Sequence, residues 1–523
     1  MELLKKNIHM NRIKCKSNVQ LTLDDDYNVP DVKPDIDKII KEQGTVHIQD
    51  ITPSNGRFSI KGGLDFTVLY LSEDEEHPVH SIKGVLAFEE IVNMDSACEE
   101  DDIRVEWELD DMTTSLINSR KINVKAIISL DFAAEDVSDE EAAIGVSDDD
   151  EVEYQNKEID ITELVLSKKD TYRIKDEIAI SLGKPNVAEI LYSEFELQNM
   201  DTRLLENQVS LKGDLRVFLL YTGDTQEEQI EYYDMQVPIN GTVECDGCSD
   251  YMISDINMDI ITKDLQVKPD DDGEERILDL EVVLELDMKI YEEEKLEVLS
   301  DLYSVNWELE PIRKEASYKN LLLRNNSKVR LLESITLEQG QPPILQICNA
   351  SGFIKIDNKE IVENGIMVEG ILEVQLLYIA EEDRRPLGAV KGMIPFSQLV
   401  EIKDIMPDST YDMRASIDQL NTLMVSGDEV EVKASINLDT IVFNTVKESI
   451  ITEIENKGSL MEKIKDLPSM VAYTVDDGDT LWTIAKEFYT TVDDIKEMNH
   501  LETDRVKKGE KLLLIKAVDT VLE

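Results

Sequence analysis

Residues 60–70 read Ile-Lys-Gly-Gly-Leu-Asp-Phe-Thr-Val-Leu-Tyr, and two later segments repeat this pattern. They are Leu-Lys-Gly-Asp-Leu-Arg-Val-Phe-Leu-Leu-Tyr at 211–221 and Val-Glu-Gly-Ile-Leu-Glu-Val-Gln-Leu-Leu-Tyr at 368–378. Each copy has a glycine eight residues before its closing tyrosine, and a proline 28 residues before that glycine. The three sets of markers are Gly62, Tyr70 and Pro34; Gly213, Tyr221 and Pro185; and Gly370, Tyr378 and Pro342. Markers kept in register over three copies indicate one module that occurs three times.

The segment before each tyrosine alternates between apolar and other residues, as Leu64, Phe66, Val68 and Tyr70 show. This period of two predicts a half-buried strand. In the second copy Phe218 and Leu220 make the opposite face apolar too, so we expect that strand to be covered on both sides. A second alternating segment closes each copy, at 122–131, 278–287 and 430–439. Many short strands at this spacing predict a mainly β fold of three tandem β-sandwich or barrel-like repeats.

The repeated tyrosines have two interpretations. They end a core strand with the hydroxyl at its rim, which is the interpretation we favour, or they line a ligand site. No histidine, cysteine or serine recurs beside acidic partners in the three copies. We therefore predict no catalytic residue, no bound cofactor and no enzyme activity.

The charge of the chain limits its partners. Its 523 residues carry 112 acidic against 54 basic side chains, a net charge of −58. Nucleic acid and anionic lipid surfaces are poor partners for such a chain, because binding them requires clustered cations. A basic protein surface is a compatible partner, and a merely solvated, salt-tolerant surface explains the charge equally well.

The cysteines and the apolar segments indicate where the chain folds. Five scattered cysteines suit a reducing compartment. Cys245 and Cys248 form a lone Cys-x-x-Cys among acidic neighbours, without the further ligands of a zinc site, so we predict no metal there. The start of the chain lacks the apolar run of a signal peptide, and no segment approaches the length of a membrane span. We expect a cytoplasmic protein.

The composition divides the chain into repeats, linkers and a tail, and we expect the repeats and the tail to fold independently. Acidic residues without basic ones dominate the first linker, which predicts a solvated spacer. The third linker has spaced apolar residues that suggest a loose helix. The predicted boundaries are repeat 1 at 1–133, an acidic linker at 134–156, repeat 2 at 157–290, a linker at 291–302, repeat 3 at 303–443, a linker at 444–470, and a C-terminal domain at 471–516.

The tail has a different pattern, which predicts strand, helix, helix and strand over 473–515. Thr480 is a predicted cap of the first helix, and Thr491 with Asp494 begins the second. The run Gly478-Asp479-Thr480-Leu481-Trp482, with Asn499 and Lys508-Gly509 later, resembles the LysM domain family. Asp477 and Lys508 depart from the family pattern, in which many members have proline.

The LysM resemblance implies a shallow groove that binds N-acetylglucosamine glycans. Trp482 lies beside the apolar stripe of the first helix, where it is either an anchor for a sugar or protein or a half-buried packing residue. The residues that would form the partner- or glycan-binding surface are Gly478, Asp479, Thr480, Leu481, Trp482, Leu501, Asp504 and Val506.

The repeats resemble the SPOCS modules of endospore-forming bacteria, through Val29-Pro-Asp-Val-Lys-Pro-Asp-Ile36, Gly62 and the strand that ends at Tyr70. Three such modules before a LysM domain resemble the SipL-like family of spore envelope (coat) morphogenetic proteins, functional counterparts of SpoVID. The resemblance implies a non-enzymatic scaffold made in the mother cell and recruited to the forespore surface. Its LysM domain would dock on the coat basement-layer ATPase SpoIVA and its repeats on other spore coat proteins. The alternative is a protein that binds peptidoglycan in the cortex or cell wall.

Overall fold

Each repeat forms six antiparallel strands. The computed structural model describes residues 2–73, 78–95, 101–147, 152–224, 230–382, 384–460, 465 and 468–515. Repeat 1 contains β1 (Leu3–Asn28), β2 (Ile36–Ser54), β3 (Arg57–Ser72), β4 (Val79–Asn93), β5 (Asp102–Asn118) and β6 (Lys121–Val146). Repeat 2 contains β7 (Val152–Ala179), β8 (Val187–Leu205), β9 (Gln208–Gly223), β10 (Ile230–Glu244), β11 (Ile253–Pro269) and β12 (Glu275–Ser304). Repeat 3 contains β13 (Trp307–Thr336), β14 (Ile344–Val362), β15 (Gly365–Ala380), β16 (Leu387–Glu401), β17 (Thr410–Met424) and β18 (Glu429–Ser459).

The six strands of a repeat make two three-stranded sheets. In repeat 1 the orders are β1-β6-β5 and β2-β3-β4, and repeats 2 and 3 follow the same plan. The alternating residues Leu64, Phe66 and Val68 of β3 pack with Ile122 and Val124 of β6 in one buried core between the sheets. The predicted mainly β architecture of three tandem sandwiches is confirmed.

The structure explains why proline and tyrosine keep their spacing. In every repeat the tyrosine is fully buried and its hydroxyl donates a hydrogen bond to the carbonyl oxygen of the marker proline. The oxygen–oxygen distances are 3.0 Å for Tyr70 and Pro34, 3.3 Å for Tyr221 and Pro185, and 3.2 Å for Tyr378 and Pro342. Burial raises the pKa of Tyr221 to about 12. The tyrosines are therefore core residues that tie the start of the second strand to the centre of the sheet.

The marker glycines lie opposite a β-bulge in the neighbouring strand. The pairing register shifts between Ile48 and Asp50 opposite Gly62, and equivalent shifts occur in the other two repeats. A Cβ atom on Gly62 would lie 2.5 Å from the carbonyl oxygen of His47, and one on Gly370 would lie 2.3 Å from that of Lys355. The bulge brings the backbones too close for any side chain.

The first and last strands of each repeat continue beyond the sandwich as a two-stranded arm. Arm 1 pairs 3–13 with 135–146, arm 2 pairs 152–164 with 291–304, and arm 3 pairs 307–321 with 443–459. The three arms pack on one another through a buried apolar cluster. Its members are Ile8, Met10, Ala142, Ile159, Ile161, Leu296, Val298, Ala316, Tyr318 and Ile450.

The arms correct the predicted linkers. The segments 134–156, 291–302 and 444–470 are strand through much of their length, up to Ser459 in the third. The predictions of a solvated spacer in the first and of a loose helix in the third, up to residue 459, are therefore wrong. Acidic residues such as Asp139 and Glu141 are exposed, while Ala142 and Ala143 beyond them are buried. Residues 148–151, 461–464, 466 and 467 of these segments lie outside the described residues.

The three repeats bury equivalent faces against one another. Leu69, Leu220 and Leu377 occupy the same repeat position, are fully buried, and share one apolar cluster. Phe218 belongs to the same cluster, which confirms that the strand β9 is covered on both sides. The arrangement is a closed group of three repeats within one chain.

Charged residues also meet where the repeats converge. Arg104, Asp255 and Asp412 stand at equivalent positions of the three repeats, but one is a cation and the other two are anions. The guanidinium of Arg104 lies 2.6 Å from the carboxylate of Asp412, and Arg414 lies 2.7 Å from Asp255. Lys289 of repeat 2 lies 2.6 Å from Glu135 of repeat 1. Several of these side chains line a cleft of about 950 Å³. Complementary rather than identical charges favour one order of the repeats.

We predict that Gly370→Ala destabilises the chain by about 1–3 kcal/mol, the cost of overpacking, because the new methyl group meets the Lys355 carbonyl. Gly427→Ala is the control, since its Cβ would come no closer than 3.5 Å to a neighbour. Urea unfolding of both variants measures the difference. Equal midpoints for Gly370→Ala and the native chain would contradict this role of the glycine.

The charged residues where the repeats converge predict that the stability of the chain falls in acid. Burial opposes the charge of Asp412, but the guanidinium groups of Arg414 and Arg104 outweigh it and lower the pKa of Asp412 to about 2 from 3.8. The folded chain therefore loses this proton more easily than the unfolded chain. The stabilisation is complete above about pH 4 and disappears as the pH falls to about 2. Asp412→Asn should lower the thermal midpoint at pH 7 and reduce its dependence on pH between 4 and 2. An unchanged pH dependence would show that this carboxylate contributes nothing.

Candidate functional site

The C-terminal domain has the predicted order of elements. β19 (Met470–Thr474) pairs with β20 (Lys511–Ile515), and between them lie α1 (Leu481–Glu487) and α2 (Val492–Asn499). The Thr480 side chain accepts a hydrogen bond from the backbone N–H of Thr483, and Thr491 accepts one from that of Asp494. Both predicted helix caps are confirmed.

One side chain joins the second helix to the last strand. The Asn499 amide donates to the carbonyl oxygens of Ile495 and Leu513, each at 2.8 Å, and accepts from the Leu513 N–H at 2.7 Å. These bonds hold α2 against the two-stranded sheet. Asn499 is therefore a structural residue of the domain.

The predicted binding residues before α1 lie on a turn. Gly478 is exposed with φ of 92°, a left-handed conformation that favours glycine. The Asp479 carboxylate accepts hydrogen bonds from the Asp476 N–H and the Tyr473 hydroxyl, both at 2.7 Å. The bond from the backbone of Asp476, followed by that from Tyr473, lowers the pKa of Asp479. Thr480 is exposed, and its hydroxyl is engaged in the helix cap.

The remaining predicted binding residues have different environments. Leu481 is 1 % exposed and belongs to the core of the domain, with Ile484 and Ala485. Leu501 and Val506 are half-buried and pack against that core. Asp504 is exposed, and its carboxylate lies 2.8 Å from the ammonium of Lys496. The surface around these residues is thus formed by the turn at 478–480 and the loop at 501–506.

Trp482 contacts arm 2. Its indole Nε1–H donates to the Asp301 carboxylate at 3.0 Å, and its ring meets the Tyr303 ring edge-on at a centroid distance of 4.9 Å. The Lys486 ammonium lies 2.7 and 2.8 Å from the two Asp301 oxygens. The Tyr303 hydroxyl donates to the carbonyl oxygen of Thr490 at 3.0 Å. We call this set of contacts the latch.

The latch was not predicted, because Asp301 and Tyr303 lie at the expected boundary between a linker and repeat 3. Burial tends to raise the pKa of Asp301, but hydrogen bonds from Lys486 and Trp482 lower it overall, so the carboxylate is charged. Tyr303 is only 5 % exposed and is part of the core cluster of the C-terminal domain. The alternation of Leu296, Val298 and later residues was the available signal for a strand here.

A patch of basic side chains distinguishes this domain from the acidic repeats. Its four members lie at the end of the loop at 501–506 and just after it, and all are exposed. They are Arg505, Lys507, Lys508 and Lys511, which we call the basic patch.

The structure also describes the lone cysteine pair. Cys245 and Cys248 are both fully buried, and burial, with Cys248 as a neighbour, raises the pKa of Cys245 to about 12. Among the described residues no group of histidine, cysteine and acidic side chains could hold a metal ion. Cys98 lies outside the described residues. None of the described helices has the length and apolar character to cross a membrane.

Comparison with known families assigns each part of the chain. A family model described as SipL, SPOCS domain, matches residues 35–117, 186–268 and 343–441, which together make up just over half of the chain. A LysM domain model matches residues 473–514. Each SPOCS match falls within one repeat, so both resemblances are confirmed. No solved structure matches the chain.

Asn499→Ala should unfold or strongly destabilise the C-terminal domain, because three hydrogen bonds are lost and backbone groups of Leu513 and Ile495 lose their partner. We expect a cost of about 2–4 kcal/mol. Met498→Ala, at a neighbouring exposed position, should cost far less. Amide hydrogen exchange of β20 measures both variants, and equal protection in the two would disprove the role of Asn499.

Proposed function

Because the chain belongs to the SipL family, with three SPOCS modules and a C-terminal LysM domain, we propose that it is a non-enzymatic adaptor in spore coat assembly. The families make it a sporulation-related envelope protein with a LysM binding module. The observation that carries the finer proposal is the basic patch on the LysM domain of an otherwise strongly acidic chain. In this proposal the repeats form the scaffold, and the LysM domain binds the partner protein.

The proposed principal partner is a basement-layer ATPase of the coat, of the SpoIVA type. The basic patch suits an acidic area on a protein, and Trp482, which arm 2 contacts in this structure, would add apolar surface once that contact opens. Charge complementarity of this kind increases the rate of association and makes it sensitive to salt. The outward faces of the repeats would contact further coat proteins, on the mother-cell side of the forespore surface.

A second candidate is glycan binding by the LysM domain, in the cortex or cell wall. The family match supports it, and the exposed turn with Gly478 and Thr480 provides backbone and hydroxyl groups that a sugar could contact. The two candidates differ in what the domain binds, so one set of binding measurements separates them.

Trp482→Glu in the full chain should weaken binding of the basement ATPase by at least about 2 kcal/mol, roughly 30-fold, as for aromatic hot spots. The substitution removes the indole and places a second carboxylate beside Asp301. Calorimetry with the purified ATPase measures the loss, and circular dichroism verifies that the variant is folded. Met498→Glu, on exposed α2, is the control and should bind normally.

The same measurements decide between the candidates. Lys507→Glu with Lys508→Glu should weaken ATPase binding and reduce its dependence on salt. A tetramer of N-acetylglucosamine should bind the native chain more weakly than the ATPase does. Tight binding of the tetramer with no affinity for the ATPase would refute the adaptor proposal and support glycan recognition.

A further inference from the structure

We propose that the Trp482 face of α1 is a recognition surface for an extended segment with an aspartate and, two residues later, a tyrosine. Arm 2 occupies this surface within the chain, so a partner of the same chemistry must displace it. This inference rests on the proposed role of the LysM domain as the docking module, and it specifies which face docks and what controls it.

The geometry of the latch defines the pattern that the surface recognises. Asp301 and Tyr303 are two residues apart on a strand, so their side chains extend from the same face. Leu302 between them is buried in a separate cluster within the arms. One strand face therefore presents a carboxylate and a phenol together, and the LysM domain contacts both.

Each group of the segment has a matching group on the domain. The indole N–H of Trp482 and the ammonium of Lys486 converge on the carboxylate, and the Thr490 carbonyl accepts the phenol. The edge-on ring contact of 4.9 Å adds an aromatic component. Two donors for an anion beside an aromatic contact select an acidic, aromatic segment, and the occupant that we propose is such a segment of the basement ATPase.

Opening the latch loses little in its charged contacts, because these are partly solvated, although it also exposes Tyr303. The side chains of Asp301 and Lys486 are 25 % and 40 % exposed, and ion pairs at such sites contribute little stability. Glu153, opposite Tyr303 in arm 2, also lies near the charges of Asp493 and Asp494 on α2. Burial, and then repulsion by these two carboxylates, raises the pKa of Glu153. The contact persists since both sides belong to one chain, which gives a high effective concentration.

The experiment follows the indole N–H resonance of Trp482 by NMR in the full chain, with the resonance of Trp107 as an internal reference. Asp301→Lys should open the latch, because an ammonium then faces Lys486, and should shift only the resonance of Trp482 substantially. Arg313→Ala is the matched control, since Arg313 of arm 3 lies 3.4 Å from the Asp301 carboxylate but is not part of the latch, and should leave the Trp482 resonance in place. Adding Lys486→Glu to Asp301→Lys should return the resonance toward its native position.

The probe is a peptide with the sequence of residues 298–306. It should return the Trp482 resonance of the Asp301→Lys chain to the native position. The peptide concentration that does so should be at least tenfold lower than the concentration at which the peptide affects the native chain. A peptide with alanine at the aspartate and tyrosine positions should have no effect. An unshifted resonance in Asp301→Lys, an equal response of both chains, or equal action of the two peptides would each overturn the proposal.

A parallel titration with the basement ATPase separates the two proposals. If both hold, Asp301→Lys binds the ATPase at least tenfold more tightly than the native chain does. If the peptide behaves as expected and no chain binds the ATPase, the adaptor role is wrong and the recognition surface stands. If the ATPase binds both chains equally, the latch does not control docking and this proposal fails while the adaptor role survives.

Discussion

The central strand of each repeat is buried on both faces, and most of the structure depends on this constraint. One face of β3 packs on the sheet β1-β6-β5 of its own repeat, while Leu69 on the other meets Leu220 and Leu377 of the neighbouring repeats. A strand with two apolar faces cannot remain at the surface of an isolated domain without exposing one of them. The repeats therefore cover one another's apolar faces, although each has its own core, and their independent folding stays a prediction.

The meeting of equivalent positions from the three repeats also explains why the copies differ in sequence there. A position that meets its own equivalents near an axis cannot carry the same charge in all copies without repulsion. Two of the three positions are aspartates and the third is Arg104, which pairs with Asp412, while Arg414 pairs with Asp255. Three identical subunits could not pair in this way, whereas three repeats in one chain can. The covalent link thus permits a charged junction that a symmetric trimer would exclude.

The sequence predicts those parts of the fold that depend on local pattern. The alternation around Val68, the caps at Thr480 and Thr491, and the core position of Tyr70 needed only neighbouring residues. The arms escaped prediction because their apolar residues are spaced among many acidic ones, and their burial depends on two other repeats. The repeat spacing shows that Arg104, Asp255 and Asp412 are equivalent positions. The sequence does not show that these three positions meet in the folded chain.

The latch escaped prediction for the same reason, and its position has a consequence for assembly. Asp301 belongs to arm 2, and Arg313 of arm 3 lies 3.4 Å from its carboxylate. Leu299 and Leu302 beside it are buried in a cluster that includes Ala143 of arm 1 and Ile451 of arm 3. The strand that presents Asp301 and Tyr303 is therefore ordered by contacts from all three repeats. The LysM domain therefore engages a strand whose packing involves all three repeats, so the position of the docking module is tied to the packing of the arms.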